Sequence, residues 1–297
     1  MITKNHIPIC VALLLAAVAL FSSCEDRVDV ASPEGQPQLQ VDAFVNNLPG
    51  PQIIRLRMTT PYLNNGPLPP ALGATVKITD LIGRVFEFKD DDANGDYVWN
   101  PSPSQTIPFG IPPNVYALEI NYKGEKFTSA AKMDSVPDID SLGYELKPAE
   151  TRGQDTLEAG YELTMKAKDI PGQANAYWFK AYRNGVFFNR PQDMNLAYDG
   201  AFGPGSDGVQ FIPPIIFRLT PERYKAGDRV RIELHSIGIP TYTFLNLAQD
   251  QMTNTGLFAR PPVNVPSNVV NQNKNSNVRA VGWFCAESIV IKEITLP

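Results

Sequence analysis

From Leu39 onward the sequence alternates apolar and polar residues in short runs, each stopped by glycine, proline or asparagine. In Gln52-Ile-Ile-Arg-Leu-Arg-Met58, residues Ile54, Leu56 and Met58 share one face while Arg55 and Arg57 take the other. The same period of two recurs in 39–45, 74–80, 84–88, 95–99, 114–122 and 125–131, with turns at Asn46–Gly50, Leu81–Gly83 and Lys123–Gly124. An alternation with one apolar face needs a second layer to cover it. About seven strands in about 95 residues therefore predict a sandwich of immunoglobulin-like type over residues 39–133. The 27 prolines and 21 glycines, placed between the runs, mark an all-β chain with many turns.

The stretch Met133–Leu142, with Pro137 and a cluster of acids, interrupts the pattern and is expected to join two domains. A second β-rich, sandwich-like domain is expected over 134–297, with clear strands at 161–167, 176–183, 228–235 and 288–294. In the third of these Val230, Ile232 and Leu234 point inward, leaving Arg229, Arg231, Glu233 and His235 toward solvent. Only Pro240–Met252 has helical spacing, with Leu245, Ala248 and Met252 on one face, and it is expected to be a short helix on the second sheet.

The amino end is of a different kind. Lys4 precedes an apolar run, Val11–Phe21, which leads through Ser22-Ser23 to Cys24. The run is too short to span a bilayer and has the proportions of a secretory signal. Small residues before a cysteine form a lipobox, so residues 1–23 are expected to be removed and Cys24 to carry the lipid as the first mature residue. Residues 24–38 are polar, hold two prolines and form a flexible tether. Glu25 and Asp26 directly after the anchor look like the acidic signals that send lipoproteins to the cell surface; the plainer reading is a solvated charge pair. Removing 1–23 leaves 274 residues, with 25 basic against 31 acidic. No basic stripe appears, which argues against nucleic acid as a partner.

Cys10 leaves with the signal and Cys24 is lipidated, so Cys285 has no partner for an intramolecular disulfide. Its apolar setting, Val281–Ala286, makes it a small buried hydrophobe rather than a nucleophile. His235 is the only histidine after residue 23, and no Gly-x-Ser-x-Gly elbow is present. Gly203–Gly208 is glycine-rich but lacks the lysine and following helix of a phosphate loop. No motif names a cofactor. Asp90, Asp92, Asn94 and Asp96, with Gly95, open like a calcium loop, yet the twelfth position of that loop is Pro101 rather than glutamate. A hairpin turn built from Asp, Asn and Gly is the plainer account.

Several segments carry a resemblance: Leu39–Val45, Gly73–Asp80, Gly95-Asp-Tyr97, the joint Pro137–Ser141, and above all Gly256–Val263, Ser267-Asn268 and Val281–Ala286. Through them the chain from Cys24 onward resembles the Bacteroidota lipoproteins grouped as domain-of-unknown-function family 4249. That resemblance implies an outer-membrane place beside TonB-dependent receptors and a role in uptake or surface binding. It implies no catalytic residues, because the family has no agreed activity.

Aromatic residues crowd the second domain, among them Tyr177, Trp178, Phe179, Tyr182, Phe187, Phe188, Tyr198, Phe202 and Phe211. Most aromatic clusters in β domains are core; those facing outward, with Trp178, Tyr182 and Tyr198 as candidates, would form a surface for a glycan or peptide. The expected function is non-enzymatic: a lipid-anchored outer-membrane protein, displayed at the cell surface, that assists or captures ligand for a TonB-dependent receptor. The alternatives are a surface glycan-processing enzyme using Asp or Glu, whose carboxylates leave no local motif, and a cell-surface adhesin.

Overall fold

The computed structural model describes residues 35–297 except 62–63, 65, 104–106, 153–154, 173–174, 199–207, 209–221, 255–259 and 262. The expected signal segment, Cys24 and the tether up to residue 34 lie outside the described residues. So do Phe202, Phe211 and residues 203–207 of the glycine-rich stretch.

Strands form at each place where alternation was read, and at several more. The first group is β1 (Leu39–Asn46), β2 (Gln52–Met58), β3 (Thr75–Asp80), β4 (Val85–Phe88), β5 (Asp96–Trp99), β6 (Asn114–Tyr122) and β7 (Glu125–Met133). Then come β8 (Ile139–Lys147), β9 (Glu150–Arg152), β10 (Asp155–Leu157), β11 (Gly160–Ala167), β12 (Ala176–Arg183), β13 (Val186–Phe187), β14 (Asn195–Tyr198) and β15 (Arg229–Ile237). Helix α1 (Ile239–Thr253), β16 (Val270–Asn271) and β17 (Ala280–Thr295) complete the order. Of these, β8, β9, β10, β13, β14, β16 and the first half of β17 were not expected. The protein is mostly β with one α-helix among the described residues, in several sheets that include a curled half-barrel.

The long sheet runs β13-β12-β15-β17-β1-β2-β5, with β14 also pairing β12. Its central strand is β17, whose 16 residues serve two partners in turn. Ala280–Glu287 run parallel to β1, and Ser288–Thr295 run antiparallel to β15. A second sheet, β16-β7-β6-β3-β4, lies over the β1–β2–β5 end, and the inward residues of both sheets form one core. Two seams join these sheets. Lys89 and Val98 exchange main-chain hydrogen bonds of 2.9 and 2.7 Å between the β4 and β5 edges. At the other side the Asn268 side chain imitates a peptide: it accepts from Phe284 N–H at 2.8 Å and donates to Phe284 C=O at 2.7 Å.

Residues 39–133, the expected first domain, supply most of this core. Val269, Ala280, Phe284 and Ala286 complete it from far beyond the expected boundary. A second core gathers Leu163, Met165, Tyr177, Phe179, Ile232 and Leu234 beneath the other end of the long sheet. The whole stretch Gln36–Pro297 is one compact unit. The parallel β1–β17 pair and the strand common to both cores are features that the expected immunoglobulin-like sandwich did not contain. β8 begins at Ile139, inside the stretch expected to join two domains.

Helix α1 starts after Gly238 with Pro240 in its first turn, where a missing N–H costs nothing. Its buried residues are Thr241 and Leu245, and Met252 is half exposed, so the expected stripe through Ala248 and Met252 is corrected. Thr241 is drawn in because its hydroxyl accepts from Trp283 Nε1 at 3.0 Å.

Candidate functional site

The face of the long sheet turned away from the two main cores holds the densest chemistry. On β12 the core takes Tyr177, Phe179 and Ala181, so Trp178, Lys180 and Tyr182 fall on the opposite face. Strand register sets Trp178 beside His235, Lys180 beside Glu233 and Tyr182 beside Arg231. Glu233 Oε2 accepts from the Tyr182 hydroxyl at 3.0 Å and lies 3.1 Å from His235 Nε2, while Arg231 pairs with Oε1. From β17, Glu287 Oε1 comes within 3.1 Å of His235 Nδ1, close enough for an ion pair but out of line for a hydrogen bond. Glu287 Oε2 is buried without a hydrogen-bond partner.

His235 was expected to face solvent and is instead 1% exposed, with Glu233 at 5% and Glu287 at 2%. The outward side of β15 is covered over this stretch, with the Trp178 ring centroid 6.0 Å from the imidazole. Lys180 Nζ sits 3.8 Å from the Trp178 ring centre, a cation over an aromatic face.

Burial is the largest influence on both carboxyls and works to raise them. For Glu233 the hydrogen bond and charge of His235 outweigh it, helped by Arg231; for Glu287 the charges of His235 and Lys180 do so. Both end below the usual carboxylate range. Tyr182 is pushed up by burial and then by the Glu233 charge, so it stays a neutral donor. Cys285, two residues before Glu287 on the same face, is a free buried thiol raised by burial first and by Glu287 second. It therefore carries no thiolate. Glu233 and Glu287 are thus both held below the usual range, whereas a general acid needs its carboxyl held above it.

The three aromatic candidates lie on this one face but do different things. Trp178 and Tyr182 border the carboxylate–imidazole cluster. Tyr198, opposite Ala176 in register, places its ring 5.7 Å from Tyr242 of α1. All three are half-buried. Glu233 and Glu287 were not expected here; the charged alternation Arg231-Ile-Glu-Leu-His235 marked the face, but nothing local links it to Glu287.

The Asp90–Asp96 segment forms the turn into β5. Asp90 accepts from the main-chain N–H of Asn94 at 3.0 Å and of Gly95 at 2.9 Å, and Asn94 Oδ1 accepts from Asp96 N–H at 2.8 Å. Asp96 pairs with Arg57 at 2.5 Å and Arg55 at 3.8 Å. Asp90, Asn94 and Asp96 are thus engaged by the turn and by β2, and Asp92 is exposed. Among the described residues no three His, Cys, Asp or Glu side chains are grouped to hold a metal ion.

No curated protein matches the chain. Residues 25–292 match the family described as Domain of unknown function (DUF4249). That span takes in every sheet, both seams and the buried cluster, and the chain belongs to the DUF4249 family.

Proposed function

We propose that this protein is a lipid-anchored outer-membrane lipoprotein of Bacteroidota type, displayed at the cell surface, that assists a TonB-dependent receptor or captures ligand for it without catalysing a reaction. The observation that carries the reading is the amino-terminal run Val11–Phe21 ending in Ser22-Ser23-Cys24, joined to a chain of the DUF4249 family. Lipid on Cys24 and the tether behind it would hold the β unit at the membrane. The two-layer packing of seven short strands over residues 39–133 supports an immunoglobulin-like description of that part.

A binding role is favoured over hydrolysis by the electrostatics of the buried cluster. Two-carboxylate glycoside hydrolysis needs one carboxyl held protonated and the other ionised. Glu233 and Glu287 are both held below the usual carboxylate range, with His235 the first opposing influence on each. The Trp178–Tyr182 face, stiffened by that cluster, is the surface proposed to meet a glycan or peptide. Two measurements test the reading. Mild-detergent purification from native membranes should bring down a TonB-dependent receptor, and recovery of none removes the partnership. Cys24→Ala should shift the protein out of the membrane fraction, and an unchanged fraction removes the anchor.

A further inference from the structure

Where the parallel β1–β17 pair begins lies a cleft of about 700 Å³, within the ~300–1,000 Å³ range of small-ligand sites. Its lining comes from the segment before β16, from β16 itself, from the turn Asn273–Arg279, from the first residues of β17, and from Gln38. Valines and alanine, among them Val265, Val269, Val278 and Ala280, give it an apolar lining.

The walls are tied in place before any ligand arrives. Asn271 Nδ2 donates to Val278 C=O at 2.8 Å, Ser276 Oγ accepts from Val278 N–H at 3.0 Å, and Gln38 Oε1 accepts from Arg279 N–H. Asn268 adds its pair of hydrogen bonds with the Phe284 main chain just behind. A recess held in this way loses little entropy on binding. Polar groups at its surface are amides and hydroxyls, including Asn264, Ser267 and Asn273.

Its charges are of one sign. Lys274 and Arg279 are the only ionic residues of the lining, both are exposed, and neither has a carboxylate partner among the described residues. Glu125 stands behind the wall, and its oxygens are occupied by Ser276, Asn271 and Asn273. In a chain of net charge −5, a preformed cleft whose only charges are positive selects anions.

We infer that this cleft binds an acidic saccharide, a polyhydroxylated ligand carrying a carboxylate. Arg279 and Lys274 take the carboxylate, the former with a planar fork suited to two parallel hydrogen bonds. The asparagine and serine groups meet hydroxyls, and the valines meet the C–H face of the sugar ring. The inference stands apart from the receptor partnership, since it requires only the protein and the sugar.

Calorimetric titration of the full-length protein in detergent with trigalacturonate, beside neutral galactotriose, tests it. Trigalacturonate should give saturable heat that weakens with salt, and galactotriose should bind at least about tenfold more weakly, the loss of one charge-assisted hydrogen bond. Lys274→Ala with Arg279→Ala should remove the uronate heat and leave the melting temperature unchanged, because both side chains are exposed. Lys274→Glu alone should do the same to the uronate while sparing any weak galactotriose signal. No uronate heat in the millimolar range, equal affinity for the neutral sugar, or undiminished binding by the double variant would each overturn the inference.

Discussion

Glu287 stands where β17 leaves β1 for β15, and His235 meets it from the neighbouring strand. Taking two carboxylates out of water is unfavourable, and the imidazole between them makes the arrangement tolerable. Removing one member of such a group strands the rest, so Glu287→Gln should lower stability by about 3–5 kcal/mol. Urea unfolding at neutral pH measures this, and a change below one kcal/mol would mean the cluster is not energetically coupled. The pH dependence has a definite sign. Both folded carboxyls lie below the ordinary value of 4.5, so the unfolded chain takes up their protons first as pH falls. Their contribution is full above pH 4.5 and disappears as pH drops through the folded values. The wild-type unfolding midpoint should fall across that acid window, with a shallower slope in a Glu233→Gln, Glu287→Gln variant. Alternation along β15 was enough to tell which face His235 takes. It could not tell that the face is covered, because the covering groups come from β12 and β17.

At the level of elements, β17 carries the unexpected part of the design. Its second half, 288–294, was legible from Ile and Val alternation. The first half was legible only as an apolar run, because its partner β1 lies 241 positions earlier and pairs in parallel, with no turn to announce it. One residue in that half is decisive. Gly282 has φ of +96°, and a Cβ built there would sit 2.0 Å from Val41 C=O. Gly282→Ala should therefore cost about 1–3 kcal/mol in backbone strain alone, with displacement of β1 added to it. The denaturation midpoint reads this directly, and a midpoint equal to wild type would show that the ladder has room to spare. Helix α1 was placed to within a residue at each end, yet its buried stripe differs. Helical spacing alone did not reveal that Trp283 needs a hydroxyl partner, which Thr241 provides.

For the molecule as a whole, chain order and spatial order part company. The first core borrows Ala280, Phe284 and Ala286 from the carboxyl side, and Phe284 is fully buried. Losing a buried phenylalanine alone is worth about 3–5 kcal/mol, a large share of a domain's stability. A fragment of residues 36–133 should consequently fail to unfold cooperatively, whereas the full chain should do so; circular dichroism against urea distinguishes them. A sharp transition in the fragment would instead establish an independent first domain. Composition and alternation together were enough for the mostly β character and for the longer strands, but not for β8, β9, β10, β13, β14 or β16. They carried no information on which distant strand completes which layer, since a parallel pair leaves no short-range mark.

Asn268 and β17 together impose a timetable on biosynthesis. A chain that crosses a membrane from its amino end delivers β1 with nothing yet to cover its second edge, and some 240 further residues must follow before its mate exists. Throughout that interval the nascent polypeptide exposes a sticky β ribbon, so a holding factor that lets go early would leave it open to aggregation.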